Sequence, residues 1–241
     1  MSRFATAAAV IGLTVLAVAP ATALGPGINT GATASERAAR GAQTQIGVPE
    51  QPATASYRVA FNARWTSATH PTTTPSDAHF SNPVLAVHST PGAMFDLGAA
   101  TSPGVKDVAE FGRTATLLGE LRSNAAVTDA QVTAGVPAPA IGSRSFDITV
   151  TQEADLVSLV TMLAPSSDWF VGLSSFDLFK GVWLQTTTID AGNYDAGTSG
   201  GDNFGVTSRT GPGVVSGPVD PGFISAAAEN PFATITITRT G

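Results

Sequence analysis

The chain of 241 residues contains no cysteine, and charged side chains make up only 12% of it. The first absence excludes disulfides and the thioether lipid anchor of a bacterial lipoprotein. The second leaves 12 basic residues against 18 acidic ones, a formal charge of −6, with no cluster of Lys or Arg anywhere. A nucleic-acid interface needs a basic patch, so that class of partner is excluded. No internal repeat of fixed period runs through the chain, which argues against propellers and solenoids. Beyond the first 20 or so residues, no stretch is apolar for the roughly 20 residues a bilayer requires.

The one long apolar run stands at the start. In "MSRFATAAAVIGLTVLAVAPATALG", Arg3 precedes apolar residues from Phe4 to Val18, Pro20 closes the run, and Ala21-Thr22-Ala23 supplies small residues at a cleavage site. The expectation is a secretory signal peptide over 1–23 and a secreted or cell-surface protein with no stable membrane insertion after cleavage. Export makes the missing cysteines informative, because disulfides are normally permitted there. Stability has to come from a hydrophobic core, with metal as a possible supplement.

From Leu24 to Ala55 the composition is Gly, Ala, Thr, Pro and Gln with few large apolar residues. Such a segment buries too little surface to offset its chain entropy, so 24–55 is expected to be a flexible linker, with a short helix over Ala34–Arg40 as the competing reading. Residues 56–241 suffice for one domain with its own core.

Within that domain, "SYRVAFNARW" alternates Tyr57, Val59, Phe61, Ala63 and Trp65 with Arg58, Asn62 and Arg64. A period of two is the mark of a half-buried strand. "SFDITVT" repeats it with Phe146, Ile148 and Val150, and "FATITITRT" does so near the C-terminus with Ala233, Ile235 and Ile237. "LVSLVTML", Leu156 to Leu163, is almost continuously apolar; its β-branched residues and the turn at Pro165-Ser166 favour a strand over a short helix. Helix is minor: Ser102 is placed to cap a short one with Pro103 at its first position and Gly112 as its stop, and "TATLLGELRSN" follows. The pattern predicts an all-β antiparallel sandwich with one or two short connecting helices, a class whose end loops commonly carry function.

The aspartates gather beside glycines. Asp168 sits directly before Trp169, and "IDAGNYDAGTSGGD" places Asp190, Asp195 and Asp202 in a loop rich in glycine. Calcium takes six to eight oxygens in tolerant geometry, and glycines let backbone carbonyls turn inward toward it. The same residues equally suit Asx turns that cap their own backbone. No EF-hand is present, because Gly201 and Val206 stand where its twelfth residue must be acidic. His70, His79 and His88 raise the question of zinc, but their even spacing supplies no tight pair on one element. "GTSGG", Gly197 to Gly201, fits the hydrolase pattern with Ser199 as nucleophile, a motif that has meaning only on a sharp strand-to-helix turn. Trp65, Trp169 and Trp183 are expected in the core.

"YRVAFNARWTSATHP", "AHFSNPVLAVHS", "GVKDVAEFG", "APSSDWFVGLSSFDLF" and "YDAGTSGG", in that order, resemble the spondin N-terminal domain family, the extracellular-matrix domain of the F-spondin and mindin type that also occurs in secreted bacterial proteins. The resemblance covers roughly Ser56 to Arg239 and is most specific at Ser-x-Asp-Trp-Phe-Val-Gly and Asp-Ala-Gly-Thr. It implies a sandwich related to C2 domains, calcium in loops at one end, and adhesion to an extracellular protein or glycan ligand without catalysis. Asp168 and Asp195 match two of the family's three carboxylate ligands. Ser199 stands where the third belongs, and Asp202, three residues on, is the nearest carboxylate able to compensate, with Asp190 a weaker substitute. The alternative in another class is a secreted hydrolase built on Ser199 or a histidine metal site.

Overall fold

The alternation read from Tyr57 onward forms the central seam of the fold. A computed structural model of the chain describes residues 50–71, 74–200, 204, 211–217 and 231–241. The expected signal peptide (1–23), the short helix weighed over 34–40 and most of the expected linker lie outside them. Strand β1 (Thr54–Arg64) pairs antiparallel along its whole length with β5 (Ile141–Thr151) on one side and, from Tyr57 to Ala63, with β10 (Ala233–Arg239) on the other. β8 (Thr186–Asp190) completes a four-stranded sheet in the order β5-β1-β10-β8. Register aligns the apolar rows: Val59 faces Ile237 and Phe146, and Phe61 faces Ile235. A slip of one residue would turn every one of these side chains to solvent.

The second sheet runs β4 (Val127–Val132), β3 (Val84–His88), β6 (Leu156–Ala164), β7 (Trp169–Asp177), β9 (Gly192–Asp195), with β2 (His79–Phe80) paired to the end of β6. One face meets the first sheet, where Leu85, Val157, Leu159, Leu163, Trp169 and Val171 pack with Tyr57, Phe61 and Ile235 in a common core. The other face is covered by helices α1 (Pro103–Phe111) and α2 (Ala115–Ser123), whose Val105, Val108, Leu117 and Leu121 pack on Val84, Ala86, Val160 and Phe170. Burial on both faces explains why β6 reads as a continuous apolar run: alternation requires one wet face, and β6 has none. Among the described residues the architecture is the all-β sandwich with two short helices that the sequence predicts.

Helix α1 forms as its caps dictate. Ser102 Oγ accepts from the Val105 amide at 3.1 Å, Pro103 opens the first turn, and Gly112 closes the helix at φ +63°. Glu120 of α2 accepts from Ser102 Oγ and from the Gly104 amide, each at 2.7 Å, and so ties α2 to the N-terminal end of α1.

The domain boundary falls a little earlier than composition suggests. β1 starts at Thr54, Ala55 is in the core, and the Pro52 carbonyl accepts the indole N–H of the buried Trp183 at 2.7 Å. Gln152 Nε2 also donates to the carbonyls of Gln51 and Pro52. Removing Pro52 leaves a buried donor unpaired, at a cost of about 1–3 kcal/mol. A chain beginning at Ser56 should therefore melt below one beginning at Glu50 in a calorimetric comparison, and equal melting would show that 50–55 add nothing to the fold.

Candidate functional site

β6 ends at Ala164, and the turn Pro165-Ser166-Ser167-Asp168 leads into β7. Ser166 Oγ accepts the Trp169 amide at 3.1 Å and fixes the turn. β7 pairs with β9 in a register that sets Trp169 opposite Asp195, and the Ala196 amide then donates to the Asp168 carbonyl at 3.1 Å. Two stretches separated by more than twenty residues thus meet at one end of the sheet, with Asp168 and Asp195 side by side.

The Asp168 carboxylate is fully buried. Its Oδ2 accepts the Thr198 amide at 2.7 Å, the Ser199 amide at 2.8 Å and the Thr198 hydroxyl at 3.3 Å. Its Oδ1 is also out of water and meets no hydrogen-bond donor among the described residues. A buried carboxylate oxygen left without a partner is costly, which makes it a natural position for a cation. Burial, and secondarily the charge of Asp195, push the Asp168 carboxyl up to about 6, while the three donors on Oδ2 pull the other way. Asp195 is half-buried, and its Oδ1 accepts the Gly197 amide. Gly197 takes φ +66°, and a Cβ there would lie 2.6 Å from the Val214 carbonyl oxygen, so the turn requires glycine.

The expected site residues separate clearly. Asp168, Asp195 and the main chain of Ser199 come together; Asp202 lies outside the described residues. Asp190 sits on β8 of the other sheet, exposed and opposite Thr234, and takes no part. Among the described residues no group of three or more His, Cys, Asp or Glu is arranged to hold a metal ion, and those residues would supply two carboxylates to a cation here. Thr198 went unrecognised in the sequence although its motif was conspicuous, because its role is played by its amide and hydroxyl toward a residue 30 positions away.

Among the described residues the competing chemistries find no geometry. Ser199 is 7% exposed and its amide points at Asp168, in a turn that follows strand β9. His88 lies at the opposite end of the sheet: it pairs with Leu156, which in turn faces Asp177. Its Nδ1 bonds to the Thr90 carbonyl at 2.9 Å and its Nε2 to Ser158 Oγ at 2.8 Å, and burial holds it below the usual histidine range. His79 bonds to the Asp77 carbonyl and His70 stacks on Phe232 at 4.5 Å. All three tryptophans are buried, Trp169 against Phe204 and in the main core.

Residues 55–215, a span that includes Asp168, Asp195, Thr198 and Ser199, match the family model described as Spondin_N. The chain belongs to this family. It is similar to Spondin-1 of Mus musculus, 35% identical over 160 residues that make up 63% of this chain and 20% of that protein. Spondin-2 of Homo sapiens is 33% identical over 160 residues, 63% of this chain and 48% of that protein. The chain thus spans less than half the length of these relatives, and what it shares with them is the spondin domain.

Two outcomes follow from the Asp168 environment. In metal-free buffer its folded-state pKa is raised from 3.8 to about 6. The stability associated with its proton is fully present below the lower value and is lost as pH rises through the higher one. Wild type should therefore lose melting temperature relative to Asp168→Asn between about pH 4 and about pH 7; a pH-independent difference would contradict the raised proton affinity of the buried carboxylate. Trp169→Ala should cost about 3–5 kcal/mol in denaturant unfolding, as for other large core aromatics. A near-neutral result would mean that the ring does not anchor the loop.

Proposed function

We propose that this spondin domain is a secreted, non-catalytic binding module for an extracellular protein or glycan ligand, with calcium ordering the loops at one end. The observation that carries the calcium reading is the Asp168 carboxylate: fully buried, one oxygen saturated by three donors, the other without a donor among the described residues, and a second carboxylate beside it. Asp168 and Asp195 are the residues that would hold the ion, joined by an oxygen of Ser199 or by Asp202. Calcium would supply the positive charge that lets both carboxylates stay ionised out of water. Secretion is supported by the leader-like sequence of 1–23 and by family membership, and no helix among the described residues is long and apolar enough to cross a membrane. The hydrolase alternative has no comparable support, since Ser199 is buried and its amide is directed to Asp168.

The test is a calcium titration of the purified protein followed by thermal unfolding. An ion that binds only the folded state stabilises by about 2.7 kcal/mol at a hundredfold excess over Kd, so melting should rise with calcium and fall with chelator. Asp168→Asn or Asp195→Asn should abolish most of that rise. Ser199→Ala should change it little, and Ser199→Asp should tighten binding by adding a third carboxylate. If chelator leaves wild type unchanged and no calcium binds at millimolar concentration, the reading fails and the aspartates are turn residues.

A further inference from the structure

The β7–β9 ladder ends at the Trp169–Asp195 pair, and beyond it the chain must double back over Asp168 without help from the sheet. From inside, Asp168 Oδ2 gathers the Thr198 and Ser199 amides. From outside, the segment 213–217 lies between Asp195 and the loop ahead of α1. Asp195 and Ser216 exchange two backbone hydrogen bonds, of 2.8 and 2.9 Å. On its other side the same segment is held by Gly98 to Val215, Val215 to Ala99, and Thr101 to Gly213, at 2.8 to 2.9 Å.

Thr101 makes one further contact, from the loop side of this strap to the turn itself. Its hydroxyl donates to the Ala196 carbonyl at 2.5 Å, across 95 positions of sequence. The reach is possible because Gly213, lying against the turn, has no side chain: a Cβ there would overlap the Ala196 carbonyl oxygen and the Gly197 carbonyl. Ala196 is thereby fixed at both ends, its N–H on the Asp168 carbonyl and its C=O on Thr101. The next N–H, that of Gly197, lies on Asp195 Oδ1 and sets that carboxylate's orientation. Glycine at 197 carries little torsional resistance of its own, so without the Thr101 bond the Ala196–Gly197 step loses the restraint on its carbonyl, although the Asp195–Ser216 pair and the Gly211 amide on the Thr198 carbonyl remain.

We infer that Thr101 is a positioning residue for the cation site, acting through Ala196 and Gly197 to hold Asp195 against Asp168. This rests on the calcium reading above. Thr101 is remote from both carboxylates in sequence and donates its only hydroxyl proton to a main-chain oxygen, so its effect is on the geometry of the turn. The hydrophobic core does not depend on it, and its loss should register in ion affinity more than in folding.

The test compares wild type, Thr101→Val, Thr101→Ser and Gly213→Ala as full chains, with the calcium Kd measured by calorimetry and melting measured in chelator. Thr101→Val removes the hydroxyl at nearly constant shape and should raise Kd roughly five- to tenfold, the scale of one net hydrogen bond. Thr101→Ser should stay within about twofold of wild type, since the donor is retained. Gly213→Ala should weaken binding by pushing on the turn directly. In chelator, amide exchange of Thr198 and Ser199 should accelerate in Thr101→Val and remain at the wild-type rate in Thr101→Ser. A wild type that binds calcium and a Thr101→Val protein that binds it equally well would overturn the inference. A wild type that binds no calcium overturns the calcium reading instead, and the exchange rates then decide whether Thr101 restrains the turn: unchanged protection in Thr101→Val would end that idea too.

Discussion

The loop end of this domain is organised around one carboxylate whose two oxygens are treated unequally. Asp168 is taken out of water by the packing of Trp169 and the closure of the Asp195–Ser199 turn, and that turn closes because Oδ2 gathers two of its amides. The other oxygen receives nothing from the described residues. Full satisfaction of both would give an inert structural cap, and full exposure of both would give an ordinary surface charge. The division between them makes the same group a structural acceptor on one side and a position for a cation on the other, and it raises the group's proton affinity when no cation is there.

That arrangement depends on a rigid support. The middle of the second sheet, including the first half of β7, is buried on both faces, by the first sheet and by the two helices, so β7 cannot shift there without disturbing two cores. Phe170 and Trp169, adjacent in sequence, point into opposite cores, and Asp168 immediately precedes them. Phe95, Phe170 and Tyr194 form an edge-to-face and stacked group with ring centroids 5.1 to 5.2 Å apart, pinning β7 to β9 beside the carboxylates. The site is thus built where two strands are held by aromatic packing and the loops after them are held by hydrogen bonds.

Much of this was legible in the sequence where the governing interactions are local. The inward rows of β1, β5 and β10 follow from alternation, and the limits of α1 follow from Ser102, Pro103 and Gly112, because a cap is a contact between near neighbours. β6 was ambiguous because burial on both faces erases the period that distinguishes a strand from a helix. The pairing of Asp168 with Asp195 came from the family resemblance; spacing alone left calcium and Asx turns equally open. What could not be read were contacts that use the main chain across long separations: Thr198 and Ser199 amides on Asp168, Thr101 on Ala196, Gly213 against Gly197. Backbone donors and acceptors are common to nearly every residue, so they leave no compositional trace. The two Asp-Ala-Gly repeats show the same limit, for Asp190 and Asp195 look alike in sequence and end on different sheets.

The junction at Pro52 has a meaning apart from stability. Trp183 recognises the start of the domain through a carbonyl oxygen, and Gln152 does the same at Gln51 and Pro52, so no side chain upstream of β1 is read in these contacts. Bonds of that kind are made by the main chain whatever side chains stand at 51 and 52. Substitutions that keep these two carbonyls in place leave these bonds intact, which suits a domain that makes up 20% of one relative and 48% of another.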